Sequence, residues 1–278
     1  MRHIGVTDNG DVVDVVSPDT DADARVVERW PPFGLRLRTV PSAGGVAERV
    51  DRQPALRVEI ERWIEVNNSD LSTVDPADRV TVRVDDGTGL TVRAGGWDAV
   101  ESELGLFTVE RLAGLVAVHA GVLVTGGRAV LVPGVSHSGK STLCAAAVDA
   151  GVEVWSDEFA LVDAEGMVRG WPRPLRVRTA DGVKRVPLPP PTTEAPVPVG
   201  AVVCTRFDAG ADRTVLEPCD RLDAMTHVLM NTVCARSRAE EAFGAASIVT
   251  RDAVLLSGVR ADADEALSVM LRAIGTGR

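Results

Sequence analysis

Gly134-Val135-Ser136-His137-Ser138-Gly139-Lys140-Ser141 lies between a short apolar run, Arg128 to Val132, and a segment with helical spacing, Thr142 to Ala150. Glycine at the first and sixth positions, followed by Lys and Ser, is the pattern whose backbone N–H groups curl around phosphate oxygens while a helix N-terminus faces the negative charge. On this reading Gly134, Ser136, His137, Ser138, Gly139, Lys140, Ser141 and Thr142 form a nucleoside triphosphate site. Lys140 reaches the β- and γ-phosphates as a point charge, the Ser141 hydroxyl coordinates Mg2+, and Thr142 serves the first helical turn and the α-phosphate side. His137 reads as a solvent-facing or substrate-side position in the loop. By chance the pattern would occur in roughly one chain of this length in a hundred. The apolar strand before it and the helix after it, stopped at Gly151, make coincidence a poor explanation.

Downstream, Val152 to Trp155 reads as the next strand, ending in Trp155-Ser156-Asp157-Glu158, with Asp157 seventeen residues past Lys140. Open α/β sheets place ligands at the carboxyl ends of their strands, where this acid pair falls. Asp157 could accept the proton of an attacking hydroxyl while Glu158 or Ser141 holds the metal, or the two acids could exchange roles. The expected metal set is therefore Ser141, Asp157 and Glu158. Upstream, His119 stands alone in the apolar run Leu112 to Val124. It reads either as a catalytic group or as a hydrogen-bonded core histidine.

The rest of the chain divides by texture. From Arg2 to about Gly105 the pattern is short alternating strands and turns, as in Val80 to Val84 and Leu90 to Arg93 around Asp85-Asp86-Gly87-Thr88-Gly89. Residues 1–105 are expected to be a mostly antiparallel β region that recognises the acceptor or serves a structural role, and 106–278 a nucleotide-binding catalytic domain. In the second part Phe107 to His119 reads as a helix running into a strand, Val199 to Thr205 and Ala253 to Ser257 as strands, and Arg221 to Val233 and Asp262 to Ile274 as helices. Val186 to Pro198 carries six prolines in thirteen residues, too many for a regular element, and reads as a loop or flap.

Composition excludes several classes. A net charge of −10 over 278 residues argues against a general nucleic-acid or anionic-membrane binder. Leu112 to Val124 is too short to span a bilayer, and a cytoplasmic location is expected. Cys144, Cys204, Cys219 and Cys234 form no C-x-x-C pair, so reduced thiols are expected rather than zinc ligands or disulfides. His3, His119, His137 and His227 lack the spacing of a clustered metal site. Arg169, Arg173, Arg176, Arg178, Lys184 and Arg185 against Asp181 give one stretch a local charge of +5. That stretch either steers an anionic substrate toward the phosphate site or is a strand with its polar face in water.

Across roughly His119 to Arg178, the His-bearing strand, the Gly-Lys-Ser loop and the paired acids one strand later resemble the catalytic domain of HPr kinase/phosphorylase and related kinases. The resemblance implies a mixed-sheet α/β (α+β) fold like the P-loop core of phosphoenolpyruvate carboxykinase. It also implies Asp157 as catalytic base beside Lys140 and His119, ATP (or GTP) and Mg2+ as cofactors, and assembly into homo-oligomers. The chain departs from the family at Pro174-Leu175-Arg176-Val177-Arg178-Thr179, which lacks the metal-binding glutamate expected there. This departure points away from HPr and toward a hydroxyl on a serine of a peptide or on a small molecule. The competing reading is a nucleotide-binding sensor or scaffold that transfers nothing.

Overall fold

The computed structural model describes residues 2–7, 11–17, 20–32, 35–40, 56–62, 79–85, 90–135, 138–179 and 182–276. Internal contacts divide the chain into two compact units, Met1–Ala113 and Gly114–Arg278.

The first unit contains β1 (Arg2–Thr7), β2 (Val12–Val16), α1 (Thr20–Glu28), β3 (Leu35–Val40), β4 (Leu56–Arg62), β5 (Arg79–Asp85), β6 (Leu90–Gly96) and α2 (Trp97–Glu110). Its strands form one sheet in the order β3-β1-β2-β4-β5-β6. Every pairing is antiparallel except β2 with β4, which run parallel. The hairpin read from sequence is present as β5 and β6, in register from Arg79 opposite Gly96 to Asp85 opposite Leu90. Its turn, 86–89, lies outside the described residues.

The alternating pattern hid α1 and the first turns of α2; the helix read from Phe107 is the end of α2, and the strand it was read as running into is β7, which begins at Val116. Trp97, Val100, Leu104 and Phe107 recur at helical spacing on α2 and bury one stripe against Val13, Val15, Val58 and Ile60 of the sheet. Each fully buried side chain of this size contributes roughly 1.5–3 kcal/mol. Helix α2 spans the position near 105 at which the change of texture was read.

The second unit contains β7 (Val116–Thr125), β8 (Arg128–Pro133), α3 (Lys140–Asp149), β9 (Glu153–Ser156), β10 (Phe159–Val162), β11 (Met167–Gly170), β12 (Leu175–Thr179), β13 (Gly182–Val186), β14 (Val197–Phe207), β15 (Val215–Pro218), α4 (Arg221–Met230), α5 (Ala239–Val249), β16 (Val254–Arg260) and α6 (Ala263–Thr276). An eight-stranded mixed sheet runs β11-β10-β7-β8-β14-β16-β15, with β9 also paired to β7. Within it β8, β14 and β16 are parallel neighbours, so their carboxyl ends share one edge. Strand β7 is buried along almost its whole length, the continuous apolar signature of a strand covered on both faces. One face carries α4 and α5 over Val118, Val122, Leu131 and Val202; the other carries α3 and α6 over Leu123, Val130, Val132 and Val203. The chain is thus a mixed α/β protein with six helices among the described residues.

Helix α5 and strands β10, β11 and β15 went unread in the sequence. Strand β16 runs to Arg260, three residues beyond the expected Ser257, which proves consequential for the site. The proline-rich stretch has no regular element between β13 and β14, as expected from its missing N–H donors.

Candidate functional site

Helix α3 begins inside the glycine-rich motif, two residues before the expected Thr142. Gly139 is its N-cap at φ 81°, in the left-handed region that glycine enters without steric cost. Having no side chain, Gly139 cannot cap the helix, so the first-turn N–H groups and the positive end of the helix dipole are left for a ligand. At the other end the Gly151 N–H bonds Val148 O at 3.0 Å and the Val152 N–H bonds Ala147 O at 2.8 Å, closing the helix cleanly before β9.

Lys140, the first residue of α3, is buried at 6% exposure. Its Nζ donates to Gly134 O at 2.7 Å and Val135 O at 2.8 Å, and approaches Ser138 Oγ at 3.4 Å. The ammonium therefore wraps back across the loop that precedes it. Burial pushes its pKa down to about 8 against the opposing pull of Asp157 and Glu158. Ser136 and His137 lie outside the described residues, and Thr142 is exposed on the first turn of α3.

Ser141 Oγ donates to Asp157 Oδ2 at 2.5 Å, which joins the loop to the acid pair at the end of β9. The Asp157 side chain is 1% exposed. Among the described residues its Oδ1 has no hydrogen-bond partner. Arg173 Nη2 stands 3.6 Å from that oxygen, an ion pair beyond hydrogen-bond reach. Arg173 Nε lies 2.6 Å from Glu158 Oε2, and Arg176 Nη2 lies 3.6 Å from Glu158 Oε1. The basic stretch is therefore not simply a solvated strand face. Two of its arginines, both largely buried, are tied to the acid pair.

His119 sits on β7 opposite Phe159 of β10, with ring centroids 5.8 Å apart. Its carbonyl accepts the Gly134 N–H at 3.1 Å, and its own N–H donates to Asn231 O at 2.7 Å. Burial first, then the positive charges of Lys140, Arg173 and Arg176, push the imidazole down to about 4. At neutral pH it is uncharged, an acceptor or donor rather than a cation. His227 of α4 reaches Pro133 O through Nε2 at 3.3 Å.

Arg260 carried no sequence signal of function. At the carboxyl end of β16, buried at 2% exposure, it donates to the carbonyls of Ser138 and Gly139. Among the described residues, Lys140, Arg173 and Arg176 thus act on Asp157 and Glu158 while Arg260 holds the adjoining loop, four positive charges to two negative where a nucleotide would bring negative ones. The sequence signal that could have found Arg260 was the apolar run Val254-Leu255-Leu256 resuming at Val259, which extends the strand to it.

Cys144, Cys204, Cys219 and Cys234 are free in the structure. Burial pushes the Cys144 thiol up and that of Cys204 up to about 12, so neither is a nucleophile at neutral pH. Among the described residues there is no group of three or more His, Cys, Asp and Glu able to hold a metal, and no helix long and apolar enough to cross a membrane. The oxygen donors present do fit Mg2+. A hydroxyl on one carboxylate oxygen, with the other oxygen buried and unpartnered, suits a hard cation that commonly takes one or two carboxylates and completes its shell with phosphate and water. No protein-family model matches the chain, and no curated protein is significantly similar to it.

Proposed function

We propose that the chain binds a nucleoside triphosphate with Mg2+ at Gly134–Thr142 and transfers the γ-phosphoryl group to a hydroxyl, in the manner of the HPr kinase-like enzymes that it resembles. The observation that carries this reading is the Ser141–Asp157 contact, which brings a buried carboxylate to the phosphate loop. Phosphate binding alone needs the loop and its lysine; a carboxylate with an open oxygen at the same point fits a proton acceptor.

In this reading the loop amides and Lys140 hold the phosphates, and the local excess of positive charge complements the triphosphate. Bound Mg2+ would neutralise charge on the β- and γ-phosphate oxygens. Asp157 orients the acceptor hydroxyl and takes its proton as the new P–O bond forms. The β–γ bridging bond breaks and its electron pair leaves on the nucleoside diphosphate. His119, uncharged and anchored through both backbone groups, lines the site beside Lys140 without adding charge to it.

The acceptor is proposed to be a serine of a peptide or an alcohol of a small molecule. Incubating the protein with γ-radiolabelled ATP, Mg2+ and an extract of the source cell tests this. Label recovered in an acceptor as a phosphatase-sensitive monoester supports a kinase. Nucleotide binding without any labelled acceptor supports a sensor instead.

A further inference from the structure

Arg173 lies between two prolines, Pro172 and Pro174, and these lie between two buried anchors, Trp171 and Leu175. Each proline fixes its own φ and biases the residue before it toward extended backbone, so Trp171 through Pro174 have little freedom to lose. Trp171 is buried edge-on to Phe159, at 5.8 Å between centroids, and Phe159 in turn stacks beside His119. Leu175 begins β12 in the core under α3 and α6. The segment is a stiff strap that carries a guanidinium, 8% exposed, over the acid end of the phosphate site. A salt bridge of surface type contributes about 0–1 kcal/mol and needs no such support.

The two acid contacts of Arg173 differ. The one to Glu158 is close, at 2.6 Å; the one to Asp157 Oδ1 is loose, at 3.6 Å. A planar guanidinium in a close ion pair on one side can exchange its looser partner for a phosphate oxygen, a geometry to which arginine is better matched than lysine.

Resting on the kinase reading, we propose that Arg173 recognises the γ-phosphate, giving up its contact with Asp157 while Glu158 keeps it in position. The exchange leaves Asp157 Oδ1 open to the acceptor hydroxyl, so that a triphosphate readies the site and a diphosphate does not. Glu158 is then a positioning residue for Arg173, with Ser141 Oγ and Asp157 Oδ2 as the oxygen donors toward Mg2+ and Asp157 Oδ1 left for the acceptor.

Calorimetric titration of the full chain with MgADP, and with the magnesium complex of a non-hydrolysable ATP analogue, tests this without an acceptor. Arg173→Gln should weaken the analogue about 10- to 100-fold and MgADP by less than about threefold, the loss expected for one charge-assisted hydrogen bond. Arg173→Lys keeps the charge that faces Glu158, which protects against a folding failure, and should show a smaller loss with the same selectivity. Arg169→Gln, an exposed arginine on β11, should alter neither ligand. Equal weakening of both ligands, or of neither, in folded Arg173 variants would overturn the proposal. A wild-type chain that binds neither ligand would instead overturn the nucleotide reading beneath it.

Discussion

Lys140 combines a charge with deep burial. A buried ammonium held by three loop oxygens has lost water without gaining a full countercharge, and its pKa falls from 10.5 to about 8. A bound phosphate would supply that countercharge and favour the protonated form. Below pH 8 the free protein already carries the proton, so nucleotide affinity should be flat there; above pH 8 it should fall by about tenfold per pH unit, with proton uptake on binding. Titrations in buffers of different ionisation enthalpy at pH 7 and pH 9 would show this. Lys140→Arg, charged throughout that range, should give whatever binding it retains without the slope. A flat wild-type profile would mean that Lys140 does not meet the phosphates.

At the scale of elements, β8, β14 and β16 run parallel, so the loop after β8 and the end of β16 arrive at one edge of the sheet. Arg260 uses that convergence to hold the Ser138 and Gly139 carbonyls, fixing the loop from the far side of β14. It holds the loop rather than any one phosphate, so Arg260→Met should weaken MgADP and the triphosphate analogue together, by roughly tenfold or more for the loss of charge-assisted hydrogen bonds. A loss confined to the triphosphate would contradict this role. The contrast with Arg173, expected to discriminate between the same two ligands, separates loop support from phosphate recognition.

What was legible in the sequence follows from the range of the interactions involved. The loop, α3 and the hairpin of β5 and β6 are set by local glycine chemistry and short-period patterning, and they could be read directly. The position of Asp157 followed from the ordering of strand, loop, helix and strand. Arg260 lies about 120 residues from the carbonyls it holds, and no local pattern encodes that pairing. The arginines of the basic stretch were visible as charge. Their tie to Asp157 and Glu158 depends on how β10, β11 and the strap at Trp171 to Leu175 return toward β9, and β10 and β11 were not read. The start of α2 was masked because its buried stripe begins at Trp97, directly after the alternating strand β6.

At the scale of the whole molecule, each unit has its own apolar core: the first between its sheet and helices α1 and α2, the second on both faces of the eight-stranded sheet. The described elements of the proposed phosphate site all belong to the second unit. The −10 net charge of the chain and the local excess of two positive charges are compatible because the cations are gathered at one sheet edge instead of spread over a surface. Such focusing favours a small, highly charged anion over an extended polyanion. If this edge joins a phosphate loop to a working base, wild type and Asp157→Asn must part in chemistry far more than in binding. Both are compared, side by side, for MgATP affinity and for transfer of label from γ-radiolabelled ATP to acceptors in a cell extract. MgATP binding should persist, weakened by about tenfold at most because the Asn amide oxygen can still face Mg2+, and transfer should fall by about 10²- to 10⁴-fold, the range for loss of a general base. Undiminished transfer by the Asn variant would contradict that role.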